Sequence, residues 1–426
     1  MKKIGILGGG QLGRMTIEEA RALLCHIEVL SPEYPAPAAD LADETLIGDL
    51  MDRDAVLELA DRVDVLSYEI EHVNVAALYE VEAGGKPVIP GAGVLAIIQD
   101  KVAQKRLMDE AGIPTAPWAL IGNGEEPATS AGLMAAAARL PDGTDVSGGF
   151  PVVQKARRGG YDGRGVAVIR NRADAASQAD VAGQADAAPP AVGGRLLVAP
   201  GFVETQVDFA KELAVVVVRD LAGNTAAYPC VEMVFDPRVN LCDSVLMPAD
   251  EPEAVRFEAE RLALEAVAAL DAAARRDAAG RGSATAGAAG VFGVELFLTK
   301  DGALLVNEIA PRPHNSGHVT MEACATSQFM QYYRILAGYP LGSTEMLRPA
   351  MMVNLLGEAG ADGEPVYGGL EQALGVPGVS VHLYGKRQVR PFRKMGHLTA
   401  LASTAAEARR LAMNAREKLR ITALRG

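Results

Sequence analysis

Short apolar runs and amphipathic stretches alternate through the first hundred residues. KIGILG, IEVLSP, DVLSYE and KPVIPG read as strands, and 15–24, 52–60 and 76–83 carry apolar residues at helical spacing. Strands that are apolar throughout need cover on both faces, and intervening helices provide it, so the pattern predicts an α/β domain with a doubly wound parallel sheet. The first strand-to-helix turn, Gly8-Gly9-Gly10-Gln11-Leu12-Gly13, matches GxGxxG, with Glu33 following. Alone, that match is weak: it brings some anion or ribose phosphate to a helix N-terminus, and a dinucleotide is one case.

Beyond this region the texture changes twice. A helix is predicted through Lys105 to Ala111, ending at Gly112-Ile113-Pro114. From Trp118 the chain reads as a small lid domain: an Ala-rich helix near 131–140, the strand FPVVQKA, the loop RRGGYDGRG and the strand VAVIR. The Ala/Asp/Pro-rich 172–194 reads as solvent-exposed padding. KELAVVVVRD and TAAYPCVEMVF are predicted strands, 251–276 a long helix, and 277–290 a flexible insertion without chemistry. The predicted division is 1–114, a mobile α+β lid over 115–202, and an α+β domain over 203–426.

Composition narrows the function. Formal charge is −13, which opposes a general nucleic-acid surface, so phosphorylated ligands must meet local clusters of Lys and Arg. No apolar stretch approaches the roughly 20 residues of a membrane span, and MKKIGILGGG is cut by Gln11 and Arg14 before it resembles a signal peptide; a cytoplasmic protein is expected. Cys25, Cys230, Cys242 and Cys324 lack metal-site spacing and are expected as packed free thiols.

Three clusters carry chemistry. VFGVELFLT and ALLVNEIA flank Lys300-Asp301-Gly302, a hairpin turn that brings Glu295 and Glu308 together. Oxygen donors beside Asn307 suit hard Mg²⁺, and Arg312, His314, Asn315 and His318 follow at once. Lys155 on a strand before a loop of four glycines and three arginines suits closure over phosphates, although the Walker spacing is absent. Finally, Lys386, Arg390, Arg393 and Lys394 form a basic patch in an acidic chain.

Taken together, GGGQLGRM, YEIEHV, QKARRGGYDGRG, VETQVDFAKEL, FGVELFLT, LLVNEIAPRPHNSGH and YGKRQVRPFRKMGH resemble the 5-(carboxyamino)imidazole ribonucleotide synthetase family of ATP-grasp enzymes, over nearly the whole chain. The resemblance implies an ATP-grasp fold with an N-terminal preATP-grasp domain and ATP held between lid and C-terminal domain. It implies nucleotide contacts at Lys101, Lys155, Gly160, Tyr161, Asp162, Gly163, Arg164, Gly165, Val166, Glu204, Val207, Glu212, Asn307 and Glu308. Glu204 and Val207 would line adenine and Glu212 the ribose. Glu295 and Glu308 would bind Mg²⁺, with Mn²⁺ the alternative ion. Gln11, Leu12, Glu69, Tyr161, Asp162, Arg164, Lys386, Arg393 and Lys394 would hold aminoimidazole ribonucleotide, and Arg312, His314 and Asn315 bicarbonate. The implied catalytic set is Asp162, as proton acceptor, with Arg312, His314, Asn315 and Lys386.

Lys101 stands where the family commonly has Arg, Val166 where it has Gln, and Phe235 where a His often contributes. Two other functions remain open at this point. The formate-dependent glycinamide ribonucleotide transformylase shares the frame, with an acidic residue expected where Asn315 stands; an NAD-dependent oxidoreductase would rest on the glycine turn. Relatives further imply a homodimer that passes its product to a separate mutase, with no membrane or nucleic-acid partner.

Overall fold

The computed structural model describes residues 2–141, 150–159, 165–179, 195–239 and 241–424. Its first sheet is four-stranded and parallel, formed by β1 (Lys3–Leu7), β2 (His26–Ser31), β3 (Glu44–Ile47) and β4 (Val65–Tyr68) in the order β3-β2-β1-β4. The predicted strand KPVIPG supplies only an isolated bridge, Leu66 to Val88, since Pro87 and Pro90 have no N–H to give a ladder. Helices α1 (Gln11–Ala20), α2 (Arg53–Arg62), α3 (Val75–Ala83), α4 (Ala92–Gln99) and α5 (Lys101–Ala111) complete the region. Asp100 starts α5 by accepting from the amides of Val102 and Ala103, and Gly112 closes it at φ 67°.

A second sheet is antiparallel and also four-stranded: β5 (Trp118–Leu120), β6 (Val152–Ala156), β7 (Val166–Ile169) and β8 (Gly201–Thr205), ordered β5-β8-β6-β7. Helix α6 (Ser130–Ala137) packs on it through Leu133, Ala136 and Ala137.

The third sheet positions the site. Its strands are β9 (Phe209–Arg219), β10 (Val231–Asp236), β11 (Leu241–Met247), β12 (Gly290–Thr299), β13 (Leu304–Ala310), β14 (Ala350–Leu356), β15 (Val379–Leu383) and β16 (Lys394–Leu401). They run β13-β12-β9-β10-β11-β14-β16-β15, and Thr225–Ala227 adds a short ninth strand to β9. The valine run of β9 is buried on both faces. Leu213, Val215 and Val217 meet helix α7 (Glu253–Arg281), which buries Leu262, Ala266, Val267 and Leu270. Ala214, Val216 and Val218 face the opposite core, built with helix α8 (Gln328–Ala337) and with Ile4, Ile6 and Ile17 of the first sheet and α1. Tyr332 of α8 ties that core to β4 by donating to the Tyr68 carbonyl at 2.9 Å.

Residues 277–290 correct the expectation of a flexible insertion. Helix α7 continues to Arg281, and the rest is packed: the Thr285 hydroxyl donates to Glu82 at 3.0 Å, Gly91 N to the Gly287 carbonyl at 2.9 Å, and Ala288 and Ala289 are buried. Small residues are needed here, because a Cβ on Gly287 would lie 2.2 Å from Asp271 Oδ1. Of 172–194, only 172–179 lie within the described residues, and they open with a short helix, Arg172–Ala176.

Candidate active site

The paired acids meet in register: Glu295 of β12 lies opposite Glu308 of β13. Between that pair and the next, Leu296 with Val306, β13 holds one extra residue, Asn307. This bulge turns two consecutive side chains, Asn307 and Glu308, toward the same cleft, which a regular strand would place on opposite faces. Glu212 and Ala214 of β9 stand opposite Phe297 and Glu295, so Glu212 and Glu295 share a face.

Three lysines, two from α5 and one from β6, converge on this side of the cleft. Lys101, at the start of α5, donates to Glu308 at 2.9 Å and pulls that carboxyl down to about 2 against the opposing effect of burial. Lys155 of β6 donates to Asn307 at 3.0 Å and pairs with Glu204 of β8 at 2.6 Å. Lys105 of α5, which the sequence reading left without a role, reaches the other Glu204 oxygen at 2.9 Å. Burial pushes Glu204 toward protonation, but Lys155 and then Lys105 outweigh it and hold its carboxyl below the usual range.

One cavity of about 940 Å³ joins Lys101, Lys155, Glu204, Asn307 and Glu308 to the remaining clusters. Its apolar end is lined by Val153, Val166, Val207, Met233, Phe235 and Phe297, a slot suited to a planar base, with Phe235 presenting a ring where a His was expected. Glu212 also lines it. Burial, then the nearby Glu295, push the Glu212 carboxyl up to about 7.

The opposite end is polar. Arg312 Nε donates to Glu71 of YEIEHV at 3.0 Å. His314 Nε2 lies 3.3 Å from Glu295 Oε1, while Nδ1 faces Ser316 Oγ at 2.8 Å. Gly293 makes room for that ring: a Cβ there would lie 2.4 Å from His314 Cγ. The Asn315 amide oxygen accepts from Lys394 Nζ at 3.0 Å and from the buried Asn354 at 2.8 Å, and Asn354 also donates to the Cys242 carbonyl. His318, also on the cavity lining, is buried, and burial keeps its pKa well below the ordinary value. Lys386 and Arg393 stand outside the lining: Lys386 donates to the Lys394 carbonyl at 2.7 Å and Arg393 to the Gln388 carbonyl at 2.8 Å.

Gln11 and Leu12 line the polar end, and the glycine turn beside them holds an anion of the chain's own. Both oxygens of buried Glu69 accept from the turn, one from Gly10 N and one from Gly13 N. A carboxylate therefore occupies the helix N-terminus where a dinucleotide pyrophosphate would sit, which counts against the oxidoreductase reading. Burial raises the Glu69 pKa, while the two amides oppose the rise. Gly160, Tyr161, Asp162, Gly163 and Arg164 lie outside the described residues; Gly165 is described, and its carbonyl accepts from Ala156 N at 2.8 Å.

The candidate metal ligands fit a hard cation shared with phosphates. Two adjacent carboxylates are present, and no group of three or more His, Cys, Asp or Glu able to hold a metal occurs among the described residues. Mg²⁺ characteristically takes one or two protein carboxylates and completes its shell with phosphate oxygens and water.

Three domain families match in chain order: the ribonucleotide synthetase preATP-grasp domain over 1–99, the ATP-grasp domain over 106–329, and the phosphoribosylaminoimidazole carboxylase C-terminal domain over 350–411. The N5-carboxyaminoimidazole ribonucleotide synthetase of Thermotoga maritima superposes with TM-score 0.82 at 38% identity, covering 100% of both chains. An Aspergillus clavatus N5-carboxyaminoimidazole synthase, solved with ADP and 5-aminoimidazole ribonucleotide, superposes at 0.79 with 33% identity, covering 98% of each. The phosphoribosylaminoimidazole carboxylase of Ogataea methanolica is 37% identical over 415 residues, 96% of this chain and 68% of its own length. The chain thus spans about two thirds of the length of that carboxylase and of the matched plant and yeast carboxylases. Agreement of domain order, fold and identity along the full chain makes it a member of the N5-carboxyaminoimidazole ribonucleotide synthetase family of ATP-grasp proteins.

Proposed function

We propose that this chain carboxylates 5-aminoimidazole ribonucleotide at its exocyclic amine, using ATP and bicarbonate and releasing ADP and phosphate, as a step of purine biosynthesis. The observation carrying this reading is the in-register Glu295–Glu308 pair, set in one cavity between the Lys155 side and the Arg312, His314 and Asn315 wall.

A bicarbonate oxygen attacks the γ-phosphorus of ATP, the bond to the β-phosphate oxygen breaks, and carboxyphosphate and ADP form. Glu295 and Glu308 would hold Mg²⁺, which would supply charge neutralisation on the phosphates. Lys101 keeps Glu308 ionised across the neutral range, ready for that ion. Lys155 stabilises charge on the transferring group. Arg312, oriented by Glu71, binds the bicarbonate oxygens with His314, and Asn315 is fixed in one amide orientation by Asn354 and Lys394. Carboxyphosphate then yields CO₂ and phosphate. The amine nitrogen attacks CO₂ and loses one proton, leaving the carbamate; Asp162 is the proposed acceptor. Because carboxyphosphate hydrolyses in water, the lid of 115–202 is proposed to close over the bound amine first.

Gln11, Leu12, Lys394, Tyr161 and Arg164 are proposed to meet the ribonucleotide, with Glu69 shaping the turn and Lys386 and Arg393 supporting the basic loop. Val166, Glu204 and Val207 are proposed around adenine and Glu212 at the ribose. No helix among the described residues is long and apolar enough to cross a membrane; a cytoplasmic homodimer handing the carbamate to a separate mutase is the setting we propose. The deciding experiment measures ADP release with aminoimidazole ribonucleotide plus bicarbonate against glycinamide ribonucleotide plus formate. Turnover with the first pair alone is expected, and turnover with the second would overturn the proposal.

A further inference from the structure

Glu204 is the most enclosed acid of the cleft and has two cations. Its side chain and that of Lys105 are each 5% exposed, and that of Lys155 is 10% exposed. Lys155 sits 2.6 Å from one carboxylate oxygen and Lys105 2.9 Å from the other. The two lysines differ in what else they touch. Lys155 lines the large cavity and holds Asn307, one residue from the metal hairpin's Glu308. Lys105 is absent from that lining and spends its other protons on fixed partners, the Thr115 hydroxyl at 2.6 Å and the Ala116 carbonyl at 3.3 Å. Lys105 is thus held by two hydrogen-bond acceptors and by its ion pair with Glu204. It cannot reach a nucleotide in the cleft without abandoning all of them.

This asymmetry matters once a nucleotide arrives. If Lys155 turns to the phosphates, as proposed above, Glu204 loses its closer partner while remaining buried. A buried carboxylate left without a cation is among the costliest arrangements in a protein interior. We propose that Lys105 is a standing counter-ion for Glu204, a positioning residue that leaves Lys155 free to pass from Glu204 to the nucleotide phosphates. The trio of two lysines and one glutamate carries one surplus positive charge, directed along Lys155 into the cleft. Phosphate binding cancels that surplus without stranding Glu204. Lys101 cannot substitute, because it is committed to Glu308 at 2.9 Å.

The inference rests on the reading of Lys155 as a phosphate ligand, and the test separates the two. ADP and ATP affinities are measured by titration calorimetry on the full chain, in two buffers of different ionisation enthalpy, for Lys105→Met, Glu204→Gln, the double variant and Lys155→Met. Lys105→Met is expected to weaken nucleotide binding at least about tenfold and to make binding take up close to one proton more than in the wild-type chain, as the stranded Glu204 protonates. In the Glu204→Gln background, adding Lys105→Met is expected to cost less than about twofold, with no added proton uptake. Binding of aminoimidazole ribonucleotide serves as the check that each variant is folded. Nucleotide affinity within about twofold of wild type in Lys105→Met overturns the inference, as does a loss that is equal in both backgrounds without added proton uptake. Unchanged nucleotide affinity in Lys155→Met instead overturns the reading of Lys155 itself.

Discussion

Glu212 offers a prediction in which stability and binding move in opposite directions. It stands on β9 facing Phe297 and Met233, and no hydrogen bond or ion pair to it occurs among the described residues. Burial and the neighbouring Glu295 raise its carboxyl from 4.5 to about 7. A raised acid binds its proton more tightly folded than unfolded. The stability it contributes is therefore complete below 4.5 and is lost as pH rises through about 7. The interval is about 2.5 pH units at 1.36 kcal/mol each, so ionised Glu212 costs the ligand-free chain about 3 kcal/mol at pH 8 and under about 1 kcal/mol at pH 5. Glu212→Gln removes the ionisation while keeping the shape. Ligand-free unfolding in urea, followed for both proteins at pH 5 and pH 8, should show the variant more stable at pH 8 and nearly equal at pH 5. Taking the difference between proteins cancels the titrating groups that do not interact with Glu212. The same variant should bind ATP more weakly, since an amide is a poorer acceptor for ribose hydroxyls. A stability gap equal at both pH values would refute the reasoning.

Other substitutions test other parts of the site. Gly293→Ala drives a methyl to within 2.4 Å of His314 Cγ, so a loss of about 1–3 kcal/mol from overpacking is expected with a drop in bicarbonate-dependent ADP release; unchanged melting would show that the ring moves aside freely. Asn354→Leu strands the Cys242 carbonyl and unfixes Asn315. A cost of about 1–3 kcal/mol should accompany a rise in KM for bicarbonate that exceeds any rise in KM for ATP, and equal rises would remove the orienting role. Glu295→Gln should raise the Mg²⁺ concentration needed for half-maximal turnover at least about tenfold. It should also lower the Glu212 pKa, because Glu295 is the second cause of that shift; an unaltered Mg²⁺ requirement would place the ion elsewhere.

Local chemistry made some of this legible and hid the rest. The Asp-Gly turn and the apolar runs beside it were enough to bring Glu295 opposite Glu308. The bulge at Asn307 was invisible, since one extra residue leaves the hydrophobic pattern almost unchanged. KPVIPG looked like a strand by composition, but its prolines deny it a ladder; ETLI, a half-exposed edge strand, lacked the apolar content that marked its neighbours. Residues 277–290 looked like filler because they are small, and smallness is what lets them pack against Asp271 and Glu82. The residues missed outright, Lys105, Glu71 and Asn354, act through long-range pairs: Glu71 meets Arg312 across 241 positions and Asn354 meets Asn315 across 39. Periodicity reports burial, whereas such pairs follow from topology.

The pairing of β11 with β14 joins the strands of the Glu295–Glu308 hairpin and those that carry Asn354 and Lys394 into one ladder. Families divide the chain between 329 and 350, but the hydrogen bonds do not. Ancestry therefore places a seam where the mechanics have none. The acids, the Asn315 amide and Lys394 ride on one stiff plate, so any closing motion has to be supplied by the separate sheet of β5 to β8. Cutting the chain at that seam would leave β11 with an open edge and strip the plate of Asn354, so the two halves would be poor candidates for modular exchange with other ATP-grasp proteins.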